Sequence, residues 1–443
     1  MKNTNRKISQ CTLQCLNCLL FWRTKRSPHA SKDSSIRDKE DVIEEGLNVE
    51  KSIQSTGLMP LLPKEISENP ILRNRSDSNV SKITLSILQM PDIKLFHGKT
   101  SDFLHAEAFP KTLSYQHASN KVFSSEQSKE QRDHIIEKIL RFRRECDRFS
   151  QLASILLKSR AYHLHHLPRK PNNSSIFSIQ SVATTTLPVV ELCRTDYRKP
   201  YIPPTDDSIH KNIHILSISH QEPVVASAQF FQGPNSTQKK FYIGMDIVVT
   251  TSIEKELKDY NFLKLSFTKS EWEKVSRFRV HSLDWAKEIL LIWCMKEAYT
   301  KALGLGMGLE FSNFEIKLDD TDCEDSTWNK VIKKECFEGI KKRGRVIHDD
   351  KQNLHSLEEV PNENDFWNFT FFDGINLCTL VDPSESENKE SPLLSCICVC
   401  DGPHSLDSLE DGTSYIPIDV EIMSLSDLTQ WHFRENEVNS KKV

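Results

Sequence analysis

Two stretches of the chain carry apolar side chains at helical spacing. Over residues 133–166 these side chains recur every three or four positions, and Pro168 marks the end of the predicted helix. A second helix is predicted from Asp284, a suitable N-cap residue, to Ala302, with Gly304 as its stop. The pattern therefore predicts one prominent helix in each half of the chain.

Apolar runs with the composition of β-strands accompany both helices. Residues 213–220 and 224–231 flank a Gln-Glu-Pro turn, which predicts a hairpin. Further strands are predicted at 83–87, 241–250, 366–380 and 393–400. Because helices and strands occur together in both halves, we predict an α+β fold built from two α/β units.

The segments between and beyond these units are polar. Residues 1–80 are rich in Ser, Asn, Lys and Glu and contain few aromatic residues, so we predict that they are disordered. Residues 319–362 are interpreted as an insertion, and a short docked segment is predicted near 415–418. The predicted segments are the extension 1–80, the subdomains 81–236 and 237–400, and the polar tail 401–443.

The composition excludes some classes of function. Of the 443 residues, 37% are apolar, and 58 basic against 62 acidic residues give a formal net charge of −4. This balance argues against a dedicated nucleic-acid binder, which carries an excess of basic residues. No apolar run approaches the roughly 20 residues that span a bilayer, so we expect no membrane partner. We expect a cytoplasmic protein, with mitochondrial targeting as the alternative because residues 1–26 are basic and contain no acid.

The 12 cysteines are predicted to be reduced thiols, because they are scattered along a long chain without a recognisable secretory signal. Cys15 and Cys18 have the CxxC spacing of half a zinc site, but no second half with matching spacing follows. Cys396, Cys398 and Cys400 alternate along a predicted strand and so share one face of it. We interpret these three as small buried hydrophobic residues.

The segment 293–309 carries a carboxylate and an ammonium on one helical face. Trp293, Glu297 and Lys301 follow one another at intervals of four residues, so their side chains point in the same direction. Such a pair suits a polar cleft, and it also occurs as an ordinary salt bridge ahead of a glycine-rich helix end. The spacing alone leaves both interpretations open.

Asp246 lies within an apolar strand, Gly244-Met245-Asp246-Ile247-Val248. Burying an ionised carboxylate among apolar residues is costly, and a bound metal ion removes that cost. Gly244 permits close approach of another backbone. The alternative is an aspartate at the end of a strand that faces water.

Two further segments carry groups that suit phosphate binding. His220 closes a predicted strand after Ser219, and Arg194, Arg198 and Lys199 lie within six residues that a proline follows. Each segment also has a structural interpretation, as a satisfied histidine or a solvated basic loop. Together, two carboxylates, a histidine and several cations suit a Mg²⁺–pyrophosphate site, because Mg²⁺ binds few protein carboxylates and completes its octahedron with phosphate and water oxygens.

These segments resemble the motifs of one family, the surfactin-synthetase-activating (Sfp) type of 4′-phosphopantetheinyl transferase. WCMKEAYTKALGLG is similar to its W-x-x-K-E-[AS]-[YF]-x-K-x-x-G-x-G signature, and GMDIV is similar to its G-[IV]-D-[IV] strand. SISHQ resembles the N-[IV]-S-H-Q hairpin, RTDYRKPYIPP the R-T-x-x-x-K-P segment, and FTKSEW the F-[ST]-x-x-E-[WR] motif. The motifs follow the order of the family and are most similar to its fungal and animal branch.

The resemblance implies both a fold and a reaction. The fold would be a pseudo-dimer of two similar transferase subdomains, with coenzyme A in the cleft and a monomer as the working unit. The enzyme would transfer 4′-phosphopantetheine from coenzyme A to a serine of an apo carrier protein and release adenosine 3′,5′-bisphosphate. The carriers would serve fatty-acid, polyketide or nonribosomal peptide synthesis, or aminoadipate reductase in lysine biosynthesis. Lys274, Arg277 and Phe278 are candidates for docking of the carrier.

The resemblance also assigns roles to single residues. Asp246 and Glu297 would bind Mg²⁺, with either Glu297 or a water on the metal as the base for the acceptor serine. Lys301 would contact the diphosphate and stabilise the leaving group. The residues that would hold the coenzyme are Arg194, Lys199, Ser219, His220, Lys296 and Lys301.

The sequence departs from the family pattern at three positions. Ser217 stands where the family has asparagine, and Val248 stands where bacterial members often carry a second acid. Ile155 stands where animal members place a cation toward the coenzyme, so Lys158 or Arg160 is expected to replace it. The alternative functions are a catalytically degenerate scaffold that binds coenzyme A or carrier proteins, and a protein without any nucleotide function.

Overall fold

Residues of the transferase-like segments and much of the surrounding chain are placed by a computed structural model. The described residues are 81–89, 100–111, 113–119, 121, 123–166, 187–203, 215–222, 224–232, 241–250, 257, 261–319, 326–332, 339–348, 365–374, 394–404 and 416–433. The predicted extension 1–80, and with it Cys15 and Cys18, lies outside them.

Strands and helices occur in both halves of the described chain. The strands are β1 (Lys82–Gln89), β2 (Tyr115–His117), β3 (Val189–Glu191), β4 (Cys193–Arg194), β5 (Pro200–Tyr201), β6 (Leu216–Gln221), β7 (Val224–Phe231), β8 (Tyr242–Thr250), β9 (Phe314–Leu318), β10 (Ile340–His348), β11 (Phe366–Phe372), β12 (Leu394–His404) and β13 (Ile418–Met423). The helices are α1 (Thr100–Phe103), α2 (Ser125–Leu140), α3 (Glu145–His166), α4 (Asn261–Ser266), α5 (Lys269–Val275), α6 (Leu283–Leu303), α7 (Thr327–Val331) and α8 (Leu425–Phe433).

The first large sheet has four strands in the order β13-β1-β7-β6. The predicted hairpin is present, because β6 and β7 pair antiparallel with Leu216 opposite Gln229. Strand β1 pairs antiparallel with β7, and β13 returns from the end of the chain to pair with β1 in parallel. The first sheet thus combines strands from the beginning and the end of the described part of the chain.

The second large sheet has five strands in the order β8-β12-β11-β10-β9, and each neighbouring pair is antiparallel. All nine residues of β8 are buried, because the first sheet covers one face and α6 the other. Cys396, Cys398 and Cys400 lie in β12 and are buried as predicted. This sheet therefore forms the centre of the fold.

Two apolar clusters join these layers. One lies between the two sheets and contains Leu85 and Ala226 from the first sheet and Ile247 and Val399 from the second. The other lies between the first sheet and the helices α2, α3 and α8. The order of layers is helices, four-stranded sheet, five-stranded sheet, helix α6, which is the mixed α+β fold that the pattern predicts. Among the described residues, no helix combines the length and the apolarity needed to cross a membrane.

The predicted helix over 133–166 forms as two helices, α2 and α3. The link between them contains the Phe142 carbonyl, which accepts a hydrogen bond of 2.8 Å from Arg148 Nε. Arg144 donates to both carboxylate oxygens of Asp147. Side chains of the second helix thus satisfy polar groups in the link, so the backbone there needs no helical hydrogen bonds.

Helix α6 begins earlier than predicted and ends at Leu303, one residue later than predicted and directly before the predicted stop Gly304. Ser282, not Asp284, is the N-cap, because its Oγ accepts a 3.2 Å hydrogen bond from the amide of Trp285. Gly304 adopts a left-handed conformation with φ of 76°, which favours glycine and ends the helix.

The predicted polar tail 401–443 and the predicted insertion 319–362 both contain regular structure. In the tail, the acidic side chains of β13 find basic partners: Lys82 Nζ lies 2.7 Å from Asp419, and Arg160 lies 2.9 Å from Glu421. The insertion contributes α7 and the basic strand β10 to the second sheet. The charged composition of these segments suggested loops. A strand tolerates charged side chains on its outer face when its backbone is paired, and composition does not show which strand it pairs with.

Candidate active site

Helix α6 lies unusually close to β8, and Gly244 makes this possible. A Cβ atom at Gly244 would lie 1.9 Å from the carbonyl oxygen of Ala298 and 2.4 Å from the amide nitrogen of Ala302. One turn earlier on the helix, Cys294 Sγ lies 3.5 Å from the carbonyl oxygen of Asp246. Any side chain at 244 would push the helix away, so glycine fixes the distance between the helix and Asp246.

Three predicted site residues meet beside this contact. Ser219 Oγ donates a hydrogen bond of 2.8 Å to Asp246 Oδ1. Lys301 Nζ lies 2.5 Å from the same oxygen and 3.0 Å from Ser219 Oγ. Asp246 is buried, whereas 23% of the Lys301 side chain is exposed, so the group reaches solvent through the lysine. We call these three residues the Asp246 cluster.

Glu297 belongs to the same face of α6 as Lys301. Helical geometry places it one turn before Lys301 and one turn after Cys294, and both of those side chains reach Asp246. Glu297 is buried, with 3% of its surface exposed. The structure therefore places two carboxylates on the facing elements β8 and α6, at the end of the helix that carries Lys301.

Side chains of β6 fasten the first sheet to β8. Ser217 Oγ accepts a hydrogen bond of 2.9 Å from the amide of Met245. Gln221 Nε2 donates a 2.6 Å bond to the carbonyl of Val249. Ser219, between them, bonds Asp246 itself. The serine at 217, where the family has asparagine, is therefore compatible with the contact between β6 and β8. In the sequence, this contact is indicated by polar residues at alternate positions of an otherwise apolar strand.

His220 lies at the end of β6 and is exposed to solvent. Desolvation lowers its pKa, and the positive charges of Lys301 and Lys158 lower it further. Solvent screening moderates the effect at an exposed ring. The free imidazole is therefore neutral near pH 7, and an anionic group bound beside it would raise its pKa.

Lys158, and not Arg160, is the cation of α3 that faces the site. Burial, together with the nearby positive charge of Arg194, lowers the pKa of Lys158 to about 8. The positive charge of Lys158 also lowers the pKa of His220. The guanidinium of Arg160 lies elsewhere, against Glu421 of β13 and the ring of Trp431. Of the two expected replacements for the missing cation at Ile155, the structure thus favours Lys158.

Arg194 and Lys199 lie on the short β4–β5 hairpin. Arg194 is exposed, and its Nη1 donates a 3.3 Å hydrogen bond to the carbonyl of Arg198. Lys199 is buried instead, and its Nζ lies within 3.0 Å of the carbonyl oxygens of Ile243, Lys301 and Ala302. Burial lowers the pKa of Lys199 to about 7, while carbonyls at a helix C-terminus favour its charged form.

Lys296 is separate from the Asp246 cluster. Its fully buried ammonium lies 2.6 Å from Glu271 Oε2 and donates to the carbonyls of Phe311 and Phe314, each at 2.6 Å. Glu271 also accepts hydrogen bonds from the amide and the hydroxyl of Thr268, in the capping box of α5. We call Glu271, Lys296 and the two carbonyls the Lys296 cluster. Its contacts give Lys296 a structural role, and the structure does not bring it to the other predicted site residues.

Comparison with known proteins agrees with the motifs. A family model described as the 4′-phosphopantetheinyl transferase superfamily matches residues 242–349. The chain is 24% identical over 180 residues to the L-aminoadipate-semialdehyde dehydrogenase-phosphopantetheinyl transferase of Mus musculus. The matched stretch covers 39% of this chain and 52% of the relative. The chain is 26% identical over 136 residues to the Homo sapiens protein of the same name, covering 29% of this chain and 39% of the relative.

The chain spans about half or less of the length of these curated relatives. The family match begins at β8 and ends just after β10, so it contains Asp246, Glu297 and Lys301. These are the residues that the geometry places on β8 and on the facing side of α6. The predicted resemblance to the Sfp-type transferases is confirmed: residues 242–349 match the model of the 4′-phosphopantetheinyl transferase superfamily, and the chain is similar to the two mammalian transferases.

Proposed function

We propose that this chain is a holo-carrier-protein synthase. It transfers 4′-phosphopantetheine from coenzyme A to a serine of an apo carrier protein or carrier domain, with Mg²⁺, and releases adenosine 3′,5′-bisphosphate. Carriers of the aminoadipate-reductase type are the first candidates, because the relatives carry that enzyme in their names.

One observation carries the proposal: residues from three separate motifs meet at one carboxylate. Ser219 lies 27 residues before Asp246 and Lys301 lies 55 residues after it, yet both bond Asp246 Oδ1. Chance surface salt bridges do not bring a buried strand aspartate, a hydroxyl and an ammonium together. Polar groups from distant parts of the chain that converge at one buried carboxylate are typical of a binding or catalytic site.

The residues present fit a magnesium ion. Within the described part of the chain, no group of three or more His, Cys, Asp or Glu residues has the arrangement of a metal site. Mg²⁺ needs fewer, because substrate phosphates and waters complete its coordination. Asp246 and Glu297 would hold it, and Lys301 supplies the positive charge beside Asp246 when no ion is bound. Bound Mg²⁺ would neutralise charge on the diphosphate.

The residues of the chain have defined roles in the transfer. The serine oxygen of the carrier forms a bond to the β-phosphorus of coenzyme A, and the bond from that phosphorus to the bridging oxygen breaks. Glu297 takes the serine proton, and Lys301 stabilises the negative charge on the departing phosphate. His220 and Arg194 hold the 3′-phosphate and the adenosine. Orientation and charge stabilisation supply most of the rate in such phosphoryl transfers.

The surface around α4 and α5 suits an acidic carrier protein. Leu265 of α4 is 78% exposed, Arg277 is exposed, and Phe278 is half-buried beside it. Lys274, the third predicted docking residue, lies 3.7 Å from Glu315 and is partly exposed. Apolar and basic groups side by side complement a partner that presents acidic and apolar groups. The proposal includes the pseudo-dimeric relation of the two sheet-and-helix halves, a monomeric enzyme and a cytoplasmic location.

Intact mass spectrometry tests the proposal. An apo carrier protein is incubated with the full chain, coenzyme A and Mg²⁺, and we expect the mass of one phosphopantetheine arm to be added. The reaction should stop with a chelator and with Asp246→Asn. Asp284→Asn is the matched control, because this aspartate is half-exposed on the first turn of α6 and pairs only loosely with Lys287 at 3.5 Å.

The degenerate-scaffold alternative has a separate outcome. If several carrier types remain unmodified while calorimetry still detects binding of coenzyme A, the chain is a scaffold and the transferase proposal is wrong. If Asp246→Asn transfers at the rate of the wild type with Mg²⁺ present, the assignment of Asp246 to the metal is wrong.

A further inference from the structure

The ammonium of Lys199 is enclosed by main-chain carbonyls. Nζ lies 3.0 Å from the carbonyl oxygen of Ile243, 2.7 Å from that of Lys301 and 2.8 Å from that of Ala302. Lys199 is buried, with 8% of its surface exposed. An ammonium has three N–H donors, and three acceptors within hydrogen-bonding distance occupy them. A side chain in this arrangement has no donor left for a phosphate.

The three carbonyls belong to the two elements that build the Asp246 cluster. Lys301 and Ala302 are in the last turn of α6, where carbonyls lose the regular amide partner four residues further on and favour a cation. Ile243 is in β8, three residues before Asp246. One side chain therefore holds the end of the helix that carries Lys301 to the start of the strand that carries Asp246.

Lys199 comes from a third element, the β4–β5 hairpin. The turn of the hairpin is tight: Thr195 N donates to Lys199 O at 3.0 Å, and Lys199 N donates to Thr195 Oγ1 at 3.1 Å. A second contact joins this turn to the loop after α6, because the Tyr197 ring lies 3.0 Å from the place where a Cβ of Gly308 would be. The hairpin is thus attached to the end of α6 at two points.

The same hairpin presents Arg194 to solvent near Lys158. Arg194, like the exposed Arg198 of the turn, therefore has a guanidinium available to an anionic ligand, while Lys199 faces inward. Arg194 and Lys199 belong to one motif but have different surroundings. The difference indicates two roles that the motif alone does not distinguish: binding a phosphate and holding the elements of the site together.

We propose that Lys199 is a positioning residue, which fixes the end of α6 and the start of β8 so that Lys301 meets Asp246, and that it does not bind the 3′-phosphate. The inference rests on the proposed transferase function for its kinetic consequence. Its structural consequence, the order of the last turn of α6, is independent of any activity.

Hydrogen exchange measures that structural consequence. The amides of Gly304 and Leu305 donate to the carbonyls of Lys301 and Thr300. In Lys199→Met we expect these amides to exchange at least about threefold faster, because the ammonium that binds the carbonyls of the last turn is gone. In Arg194→Met, the matched variant of the same hairpin, the exchange should equal that of the wild type. Unchanged exchange in a folded Lys199→Met protein would overturn the proposal, whether or not the chain is a transferase.

Kinetics with two substrates measure the second consequence. Dephospho-coenzyme A lacks the 3′-phosphate, so the ratio of kcat/KM for coenzyme A to that for dephospho-coenzyme A reports contacts to this phosphate. In Lys199→Met we expect kcat to fall about tenfold or more for both substrates with the ratio unchanged, because Lys301 is misplaced. In Arg194→Met we expect the ratio to fall, through a higher KM for coenzyme A.

The opposite pattern would reject the positioning role. If Lys199→Met lowers kcat/KM for coenzyme A but leaves dephospho-coenzyme A unaffected, Lys199 binds the 3′-phosphate. Thermal unfolding and circular dichroism establish that the variant is folded. Should Lys199→Met fail to fold, Lys199→Arg serves in its place: a planar guanidinium cannot satisfy three converging carbonyls as an ammonium does, so it should show the same loss of kcat with an unchanged ratio.

Discussion

The Asp246 cluster and the Lys296 cluster are two lysine–carboxylate pairs on one helix with different surroundings. Lys301 lies 2.5 Å from Asp246 and Lys296 lies 2.6 Å from Glu271. The Lys301 side chain is 23% exposed, while that of Lys296 is fully buried. Distance alone does not distinguish the pairs, whereas access to solvent does.

The difference shows what each ammonium is able to do. The donors of Lys296 meet Glu271 and the carbonyls of Phe311 and Phe314, and breaking such a sealed pair would leave a buried charge. Lys301 and the hydroxyl of Ser219 bond the same oxygen of Asp246, and the Lys301 side chain is partly exposed. An ion or a phosphate is therefore able to replace Lys301 or to join it. One pair has the surroundings of a structural ion pair, and the other has the solvent access that the proposed chemistry requires.

The largest expected effect comes from Lys301→Met. We expect the rate of phosphopantetheine transfer to fall at least about a thousandfold, because the charge that stabilises the leaving group is lost. Mg²⁺ should raise the thermal stability of this variant more than that of the wild type, since the ion would balance Asp246 with no ammonium to displace. Mass-spectrometric assays and thermal unfolding with and without Mg²⁺ measure both effects. Transfer at wild-type rate would remove the contrast between the two lysines.

Lys296→Met should act on stability instead. Leaving Glu271 buried without its ion pair is expected to lower the free energy of unfolding by about 3–5 kcal/mol, and Mg²⁺ should not restore it. Burial already raises the pKa of Glu271. Without Lys296 the pKa would rise further, and a carboxyl with a raised folded pKa loses stability as pH increases above its unfolded value. The deficit should therefore be greater at pH 8 than at pH 5.

The double variant Glu271→Gln with Lys296→Met is the control for this prediction. Removing both charges should recover much of the loss in chemical denaturation, because no buried charge remains. If the single Lys296→Met variant were as stable as the wild type but inactive, Lys296 would belong to the chemistry after all.

A buried histidine of α8 adds a titratable group to the same comparison. His432 of α8 is buried and hydrogen-bonds the carbonyl of Leu156 at 3.0 Å, and burial lowers its pKa to about 3. The folded form therefore binds fewer protons than the unfolded chain below pH 6.5, so stability falls as pH falls toward 3. The expected slope is about 1.4 kcal/mol per pH unit, or about 2 kcal/mol between pH 6.5 and 5.

Urea denaturation at these two pH values measures that slope. His432→Gln keeps a donor for the carbonyl of Leu156 but does not titrate, so its slope should be smaller by nearly one proton. An equal slope in the variant and the wild type would mean that His432 does not control the acid sensitivity of this region.

The smallest expected effect concerns His220, at the open side of the Asp246 cluster. Its pKa is lowered in the free protein, and a bound phosphate would raise it, so binding of coenzyme A should take up a proton. The affinity should increase by roughly threefold from pH 8 to pH 6, and His220→Gln should remove this dependence. Calorimetry in buffers with different ionisation enthalpies counts the proton. No uptake by the wild type would exclude His220 from the phosphate site.

The sequence predicted the elements on which the site lies. The hairpin of β6 and β7, the strand β8 and the glycine stop of α6 each have a local cause, in strand composition, periodicity or a left-handed residue. The docked segment predicted near 415–418 is confirmed where Pro417 and Ile418 pair with β1. Composition missed β10 and the rest of β13, because these strands carry charged side chains whose partners are distant in the chain. The predictions for residues 1–80 remain predictions, since they lie outside the described residues.

By itself, the sequence determined which groups carry charge, where the helices and strands of the centre lie, and which family the motifs resemble. Only the tertiary structure decided which of these groups meet. Helical spacing brings Glu297 and Lys301 to one face of α6, but the orientation of Lys199 toward three carbonyls and of Lys296 toward Glu271 depends on the packing of separate elements. Local propensity fixes the elements, whereas burial and hydrogen-bond partners at long range decide the role of each cation.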